Sequence, residues 1–483
     1  MEQLNRNRLN CPSHHPERVL QFGGGNFLRA FADSMIEILN RKTDFDGSVI
    51  VVKPTKGGDY AALRSQDGLY HAVIDGVRDG NMVSEISLIT CIRNVIHAYE
   101  QWDAFLATAE QPEIRFIISN TTEAGIAFSD KDSFDDDPPK EFPAKLTRWL
   151  YHRFLHFDGN SDKGCIVLPC ELIEENGKAL HQTVIKYASH WGLSPQFQTW
   201  LNTSNFFCNT LVDRIVSGYP TDREHDIMAK TGFQDALMVA GELYHSWIIE
   251  APSIVEKELP LSGTDLNVQF VEDLSPYRKL KVHILNGAHT AMVPVGYLAG
   301  LRTVKDCMDD DMVVDFVRRI LMEEIGPMLQ GFPKEEVEDH IHKTLDRFKN
   351  PTLKHFLLSI SLNSISKFKT RLLPVFEAYC HQKGTFPKRI AFSLACLIRF
   401  YKGEFNGEQI VLNDDEYTVQ FFNDQWNMLK KEHCTILEMV KTILSNRTIF
   451  NKDLTQYDGL TGYVANVTLH LEENGVKSGL QNL

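Results

Sequence analysis

No run of eighteen apolar residues occurs anywhere in the 483-residue sequence, so no membrane-spanning helix is expected. The first stretch, Met1 to Pro16, is polar and lacks the apolar core of a secretion signal. The nine cysteines form no Cys-x-x-Cys pair, and Cys165, Cys170 and Cys396 stand in apolar runs. That usage fits reduced, buried thiols in a cytoplasmic protein rather than a disulfide framework. An excess of positive charge is also missing: the net charge of −14 argues against non-specific nucleic-acid binding. His340-x-His342 and His14-His15 have no carboxylate or cysteine companions at ligand spacing, so they read as surface histidines and no metal is expected. Gly-x-Ser-x-Gly and Walker-type loops are absent, as are internal repeats. What remains is an ordinary globular composition, 43% hydrophobic and 24% charged, in a chain too long for one core.

The first half reads as a layered α/β domain. Val19-Leu-Gln-Phe22 is a short apolar strand, Gly23-Gly24-Gly25 a turn, and from Phe27 apolar residues recur at helical spacing through residue 39. A strand, a glycine turn and a helix open a dinucleotide-binding fold, in which glycines admit a pyrophosphate close to the backbone and the helix start supplies N–H donors. The strict Gly-x-Gly-x-x-Gly pattern fails because Leu28 holds the third position. Val49-Ile-Val-Val52 is the second strand. It ends in Lys53-Pro54-Thr55-Lys56 where an acidic residue for the ribose is the rule, which leaves NAD and NADP both open. Further strands are expected at Tyr70 to Ile74, Ile86 to Ile89, Arg115 to Ser119 and Gly164 to Leu168. Helices are expected at Ala144 to Phe157 and Leu180 to Trp191.

From Lys279 on, helical periodicity dominates, with examples at Met312 to Leu321, His355 to Ile365, Arg389 to Tyr401 and Gln425 to Leu444. Near the start of this half, Lys281-Val-His-Ile-Leu-Asn286-Gly-Ala-His289-Thr290 spaces a lysine, an asparagine and a histidine at offsets of zero, five and eight. Three to five residues approximate one helical turn, so a helix or helix entry brings these groups to one side. Together they offer a proton donor, an oxyanion donor and a group to hold a neighbouring hydroxyl, as carbonyl reduction needs. A polar helix start with surface side chains accounts for the same residues. Tyr277-Arg-Lys-Leu-Lys281 matches a Tyr-x-x-x-Lys pair as well, a two-residue pattern that arises often by chance.

The Lys281/Asn286/His289 spacing resembles the Lys-x4-Asn-x2-His signature of the polyol-specific long-chain dehydrogenases, the mannitol dehydrogenase family. The wording Leu285-Asn-Gly-Ala-His-Thr290 is similar to the branch that reduces keto-sugar acids. Gly23-x-Gly-Asn-Phe-x-Arg-Ala30 resembles that family's glycine loop, Ser119-Asn-Thr-Thr-Glu123 a segment of the same branch, and Asn209-Thr-Leu-Val-Asp213-Arg214 an Asn-x-x-Val-Asp-Arg motif. Arg347-Phe-Lys-Asn-Pro351 resembles another family motif.

The resemblance implies a Rossmann-like doubly wound domain over residues 1–274 and a mostly α-helical substrate domain over 275–483. The active site is then expected in the cleft between them. It implies NAD as cofactor, contacted over Gln21, Phe22, Gly23, Gly24, Gly25, Asn26, Phe27, Leu28 and Arg29. It also implies reversible hydride transfer at the C3 ketone of a small sugar acid. Lys281 is expected as general acid/base, its pKa lowered by burial or by a neighbour such as Lys279. Asn209 and Asn286 form the oxyanion hole, and His289 binds a substrate hydroxyl. Asp213 and Arg214 shape the site, and Glu123 takes a proton from the lysine through water. Arg371 and Lys367, in a segment that contributes to the family's substrate pocket, are expected to hold the carboxylate, which a planar guanidinium suits. A sister specificity of the same family and a non-catalytic nucleotide-binding module stay open. The oligomeric state is left unassigned.

Overall fold

The computed structural model describes residues 2–9, 15–58, 60–78, 81–121, 125–351, 355–481 and 483. Backbone proximity divides the chain into two compact units, Met1–Leu274 and Ser275–Leu483.

The first unit is built on a six-stranded sheet in the order Ile92–His97, Ser48–Lys53, Glu17–Phe22, Phe116–Ser119, Ile166–Pro169, Phe206–Phe207. Every neighbouring pair in it is parallel. Starting from the central Glu17–Phe22 strand, the chain adds strands outward to one side and then to the other, the doubly wound arrangement. The strands are apolar on both sides because both faces are covered. Val19, Val49, Val51, Phe116 and Ile118 enter one core with the helix Ala32–Lys42, while Leu20, Phe22, Ile50, Val52 and Ile117 enter the other. That second core is roofed by the helices Phe142–His156, Asn176–His190 and Pro195–Ser204. Cys165 and Cys170 are free and buried here, as is Cys396 in the second unit.

The expected strands at Tyr70 to Ile74 and Ile86 to Ile89 form, outside this main sheet. Tyr70–Arg78 and Asn81–Ile89 are strands, but they form an antiparallel pair in a separate four-stranded sheet with Val239–Glu242 and Val216–Gly218. The third strand of the main sheet is Ile92–His97, which the apolar pattern does not announce. It is the edge strand and leaves Arg93 and Asn94 exposed. A three-stranded sheet joins Asn209–Asp213, Ser246–Glu250 and Val268–Val271.

The second unit is helical around Gly287–Leu298, a helix in which every residue is buried. Such a helix is apolar all round because other helices surround it. Lys388–Phe400 packs along it, and both feed one large core. Two expected helices are broken. His355 to Ile365 holds only the turn Leu357–Ile360 before Asn363, at φ 53°, opens the helix Ser364–Arg371. Gln425 to Leu444 is two helices, Glu416–Lys430 and Ile436–Ser445. Thr435 and Glu438 exchange capping hydrogen bonds at the second start. Among the described residues, no helix is long and apolar enough to cross a membrane.

Gly177, in the first turn of Asn176–His190, lies against the backbone that leads into the strand Asn209–Asp213. A Cβ there would lie 2.4 Å from the carbonyl oxygen of Cys208 and 2.7 Å from the nitrogen of Asn209. Helix propensity alone would favour alanine by up to about 1 kcal/mol. The backbone clash outweighs it, so Gly177→Ala is expected to lower stability by about 1–3 kcal/mol in urea unfolding.

Candidate active site

The glycine turn sits where the strand order of the main sheet reverses. Glu17–Phe22 and Phe116–Ser119 are neighbours, and the connections leaving their carboxyl ends run to opposite sides of the sheet, which opens a crevice for a ligand. Gly23 runs at φ +112°, a conformation L side chains rarely adopt, and a Cβ there would lie 3.2 Å from the carbonyl oxygen of Asn120. Gly24 donates its N–H to the Tyr60 hydroxyl at 2.8 Å, and Gly25 has nothing within 4 Å of its Cβ position. The helix Asn26–Ala30 starts immediately afterwards.

The expected cofactor contacts fall into two groups. Gly25 and Asn26 are exposed, and Gly24 and Phe27 half-buried, around the open turn, with Gly23 at its base. Gln21, Phe22, Leu28 and Arg29 are buried beneath it. Phe22 packs edge-on to Phe105. The Arg29 guanidinium donates to the Leu237 carbonyl and to Asn26 Oδ1, and lies over the Tyr70 ring. Gln21 donates to the Gly23 carbonyl at 3.0 Å and reaches Asp33 Oδ2 at 3.4 Å. Asp33 is fully buried and also accepts from the Tyr70 hydroxyl. Burial pushes its carboxyl up from 3.8 to about 7, against the opposing pull of Gln21, Tyr70 and Arg29.

Beside the turn, Glu171 gathers the ends of two strands. It accepts from Ser119 Oγ at 3.0 Å and from the Thr121 amide at 2.9 Å, and burial raises its pKa. Glu123 lies outside the described residues. Tyr60, Asp33 and Glu171 carry no motif of their own. Only Glu171, directly after a buried strand, had a positional signal in the sequence. Lys53 is buried, and its ammonium donates to the carbonyls of Thr55 and Gly57 and to the Thr55 hydroxyl. It thus closes its own turn.

Asn209 opens the strand Asn209–Asp213. Its Oδ1 accepts from the Lys178 amide at 3.0 Å, which orients the side chain, and its Nδ2 donates to Glu250 Oε1 at 2.8 Å. An amide nitrogen carries two hydrogens, so this contact uses one of them. The Arg214 guanidinium is turned inward onto the Ala30 carbonyl and His245, and burial lowers its pKa to about 10.

In the second unit, the helix Ser275–Leu280 passes into a π-helical turn, Lys281–Asn286, and then into the α-helix Gly287–Leu298. This turn resolves the awkward offset of five. In an α-helix, residues five apart lie well off one line, about 140° around the axis. In a turn closed by i→i+5 hydrogen bonds they are near neighbours. Lys281 and Asn286 are both half-buried, while Ile284 and Leu285 between them are buried. His289 is 6% exposed, stacked on Phe348 at 4.3 Å and edge-on to His355 at 5.2 Å. One residue on, Thr290 Oγ accepts from the Arg371 guanidinium at 3.3 Å. Lys367 donates to the Ile360 carbonyl at 2.8 Å. The His355 imidazole is held below its ordinary pKa by burial, then by the charges of Arg347 and Lys367. The structure therefore brings Lys281, Asn286, His289 and Arg371 to one helix and its immediate neighbours, in a cationic setting. Lys279 borders a cavity lined also by His283 and His381.

Sequence comparison agrees with both halves. The profile of the mannitol dehydrogenase Rossmann domain matches residues 17–263, and that of the mannitol dehydrogenase C-terminal domain matches residues 273–472. The chain belongs to the mannitol dehydrogenase family. It is an oxidoreductase of CH–OH groups. Altronate oxidoreductase of Yersinia enterocolitica is 44% identical over 481 residues, covering 99% of each chain. Altronate oxidoreductase of Bacillus subtilis is also 44% identical, covering 100% of this chain and 98% of its own. Two solved structures share the fold. Pseudomonas fluorescens mannitol 2-dehydrogenase, solved as a ternary complex with NAD and D-mannitol, has a TM-score of 0.74 at 21% identity and covers 99% of both chains. A substrate-free D-sorbitol dehydrogenase has a TM-score of 0.80 at 20% identity, covering 99% of this chain and 100% of that one.

Asp33, beneath the glycine turn of this family member, makes stability depend on pH. Its carboxyl titrates at about 7 when folded and near 3.8 when unfolded, so folding favours the protonated form. Its stabilising contribution is full below the unfolded value and is lost as pH rises through the folded one. Asp33→Asn removes that loss. The variant is expected to gain stability over the parent as pH rises from about 4 to 8, by a few kcal/mol at most, in urea unfolding across that range.

Proposed function

We propose that this protein catalyses the NAD-dependent interconversion of D-altronate and D-tagaturonate. The observation that carries the reading is the π-turn with its neighbours. A proton-transfer ammonium and an amide donor stand five residues apart on one helix, and an arginine reaches that same helix. The altronate oxidoreductases, matched over nearly the whole chain, support it.

The crevice beside Gly23–Gly25 suits a dinucleotide, because the bare Gly25 and the helix start leave the backbone open to a pyrophosphate. Gly23, Gly24, Gly25 and Asn26 would hold NAD there, and it would supply the hydride acceptor for oxidation of the CH–OH carbon and, reduced, the donor for the C3 ketone. NAD is favoured over NADP, since the Lys53 ammonium is engaged by its own turn where a 2′-phosphate would seek it. During reduction, negative charge grows on the carbonyl oxygen. Asn209 and Asn286 donate hydrogen bonds to that oxygen, and one such donor is worth roughly 3 kcal/mol in comparable oxyanion holes. Lys281 gives the oxygen its proton in reduction and removes it in oxidation. His289, its ring fixed by stacking on Phe348, holds a neighbouring substrate hydroxyl. Arg371 and Lys367 supply positive charge for the carboxylate, which distinguishes a sugar acid from a neutral polyol.

Lys281→Ala is expected to lose most turnover while still binding NADH, as read by steady-state rates and by quenching of protein fluorescence. Normal turnover in that variant across pH defeats the assignment. Assays of NADH against NADPH, with tagaturonate and fructuronate side by side, are expected to favour NADH and tagaturonate. A preference for fructuronate or for an uncharged polyol moves the specificity to a sister branch of the family.

A further inference from the structure

We propose that His283 is a positioning residue that clamps the π-turn in the register that puts Lys281 beside Asn286. The inference rests on the catalytic roles given above to Lys281 and Asn286. The imidazole Nδ1 lies 2.8 Å from the backbone carbonyl of Arg371. A carbonyl only accepts, so Nδ1 carries the hydrogen and the ring is the Nδ1–H tautomer. Arg371 is the last residue of the helix Ser364–Arg371, and the next helix, Leu373–Lys383, begins two residues later. The bond therefore joins the π-turn to the junction between those two helices.

Arg371 also reaches back. Its guanidinium donates to Thr290 Oγ at 3.3 Å, and the Thr290 hydroxyl donates to the Asn286 carbonyl at 2.9 Å. The circuit His283–Arg371–Thr290–Asn286 grips the π-turn at its third and last residues. A π-turn is rare, and reverting to α geometry swings everything before it by about 100° relative to the buried helix Gly287–Leu298. That swing carries Lys281 away from Asn286. The clamp opposes it and, through the same arginine, ties the placement of the acid/base group to that of the residue assigned to the substrate carboxylate.

His283 also borders an open cavity of about 580 Å³ with Lys279, Phe332 and His381, so shortening it removes a contact at a wall of that space. The test compares full-length His283→Ala, His283→Asn and His283→Gln with the parent and with Lys281→Ala. The asparagine amide nitrogen falls where Nδ1 stood and restores the bond. The glutamine amide falls near Nε2 and does not. With tagaturonate and saturating NADH, kcat is expected to drop on the order of 100-fold in His283→Ala and His283→Gln. NADH affinity is expected to be unchanged, and His283→Asn to recover most of the rate. A parental kcat in the alanine variant overturns the proposal, as does an asparagine variant no faster than the glutamine one. Should His283→Ala not fold, the Asn/Gln contrast decides alone. An active Lys281→Ala removes the underlying catalytic assignment. An inactive Lys281→Ala with fully active His283 variants removes only the clamp.

Discussion

The chemistry proposed for this chain depends on one local constraint, a helix turn that is one residue too wide. Between Lys281 and Asn286 the backbone adopts π geometry, and on either side it is α-helical. The following helix cannot rotate to absorb a change, since all of its residues are packed into the core of the second unit. Any change of register is therefore passed to the residues before it, which carry the lysine. A rigid, apolar helix is what allows a half-buried ammonium and amide to be held in fixed relation.

The first unit solves a different problem by similar means. A dinucleotide site needs a backbone that a pyrophosphate can approach. Here the turn after the central strand is made of three glycines, supported from below by Gln21, Asp33, Tyr70 and Arg29. The residues that look like a binding motif in sequence thus divide by task. The glycines and Asn26 form the open surface, and the flanking Gln21, Leu28 and Arg29 hold it in shape. Asp33 is the cost of that arrangement, a carboxyl buried so fully that it titrates near 7.

The alternating layers were legible because a parallel strand covered on both faces must be apolar throughout, as Val49–Val52 is. The edge strand Ile92–His97 escaped for the complementary reason: an edge has no partner on one side and tolerates Arg93 and Asn94. The separate sheet formed by Tyr70–Arg78 and its neighbours was not legible either, because alternation reports that a residue is in a strand and not which strand it pairs with. Tyr60 and Asp33 were invisible as site residues, since a lone tyrosine or aspartate gains meaning only from what folds against it.

By itself the sequence determined the nucleotide-binding half and the helical half, and it singled out Lys281, Asn286 and His289 as candidates. The two halves follow from short-range physics, apolar periodicity and a glycine turn after a buried strand, while the Lys281/Asn286/His289 set was legible only through its resemblance to a family signature. Only the tertiary structure decided that the offset of five is met by a π-turn, that Lys53 closes its own turn, and that Arg371 reaches Thr290. Arg371 and Thr290 stand 81 positions apart, which no local pattern encodes, and the Lys53 contacts, only two and four residues away, depend on an ammonium folding back onto its own backbone.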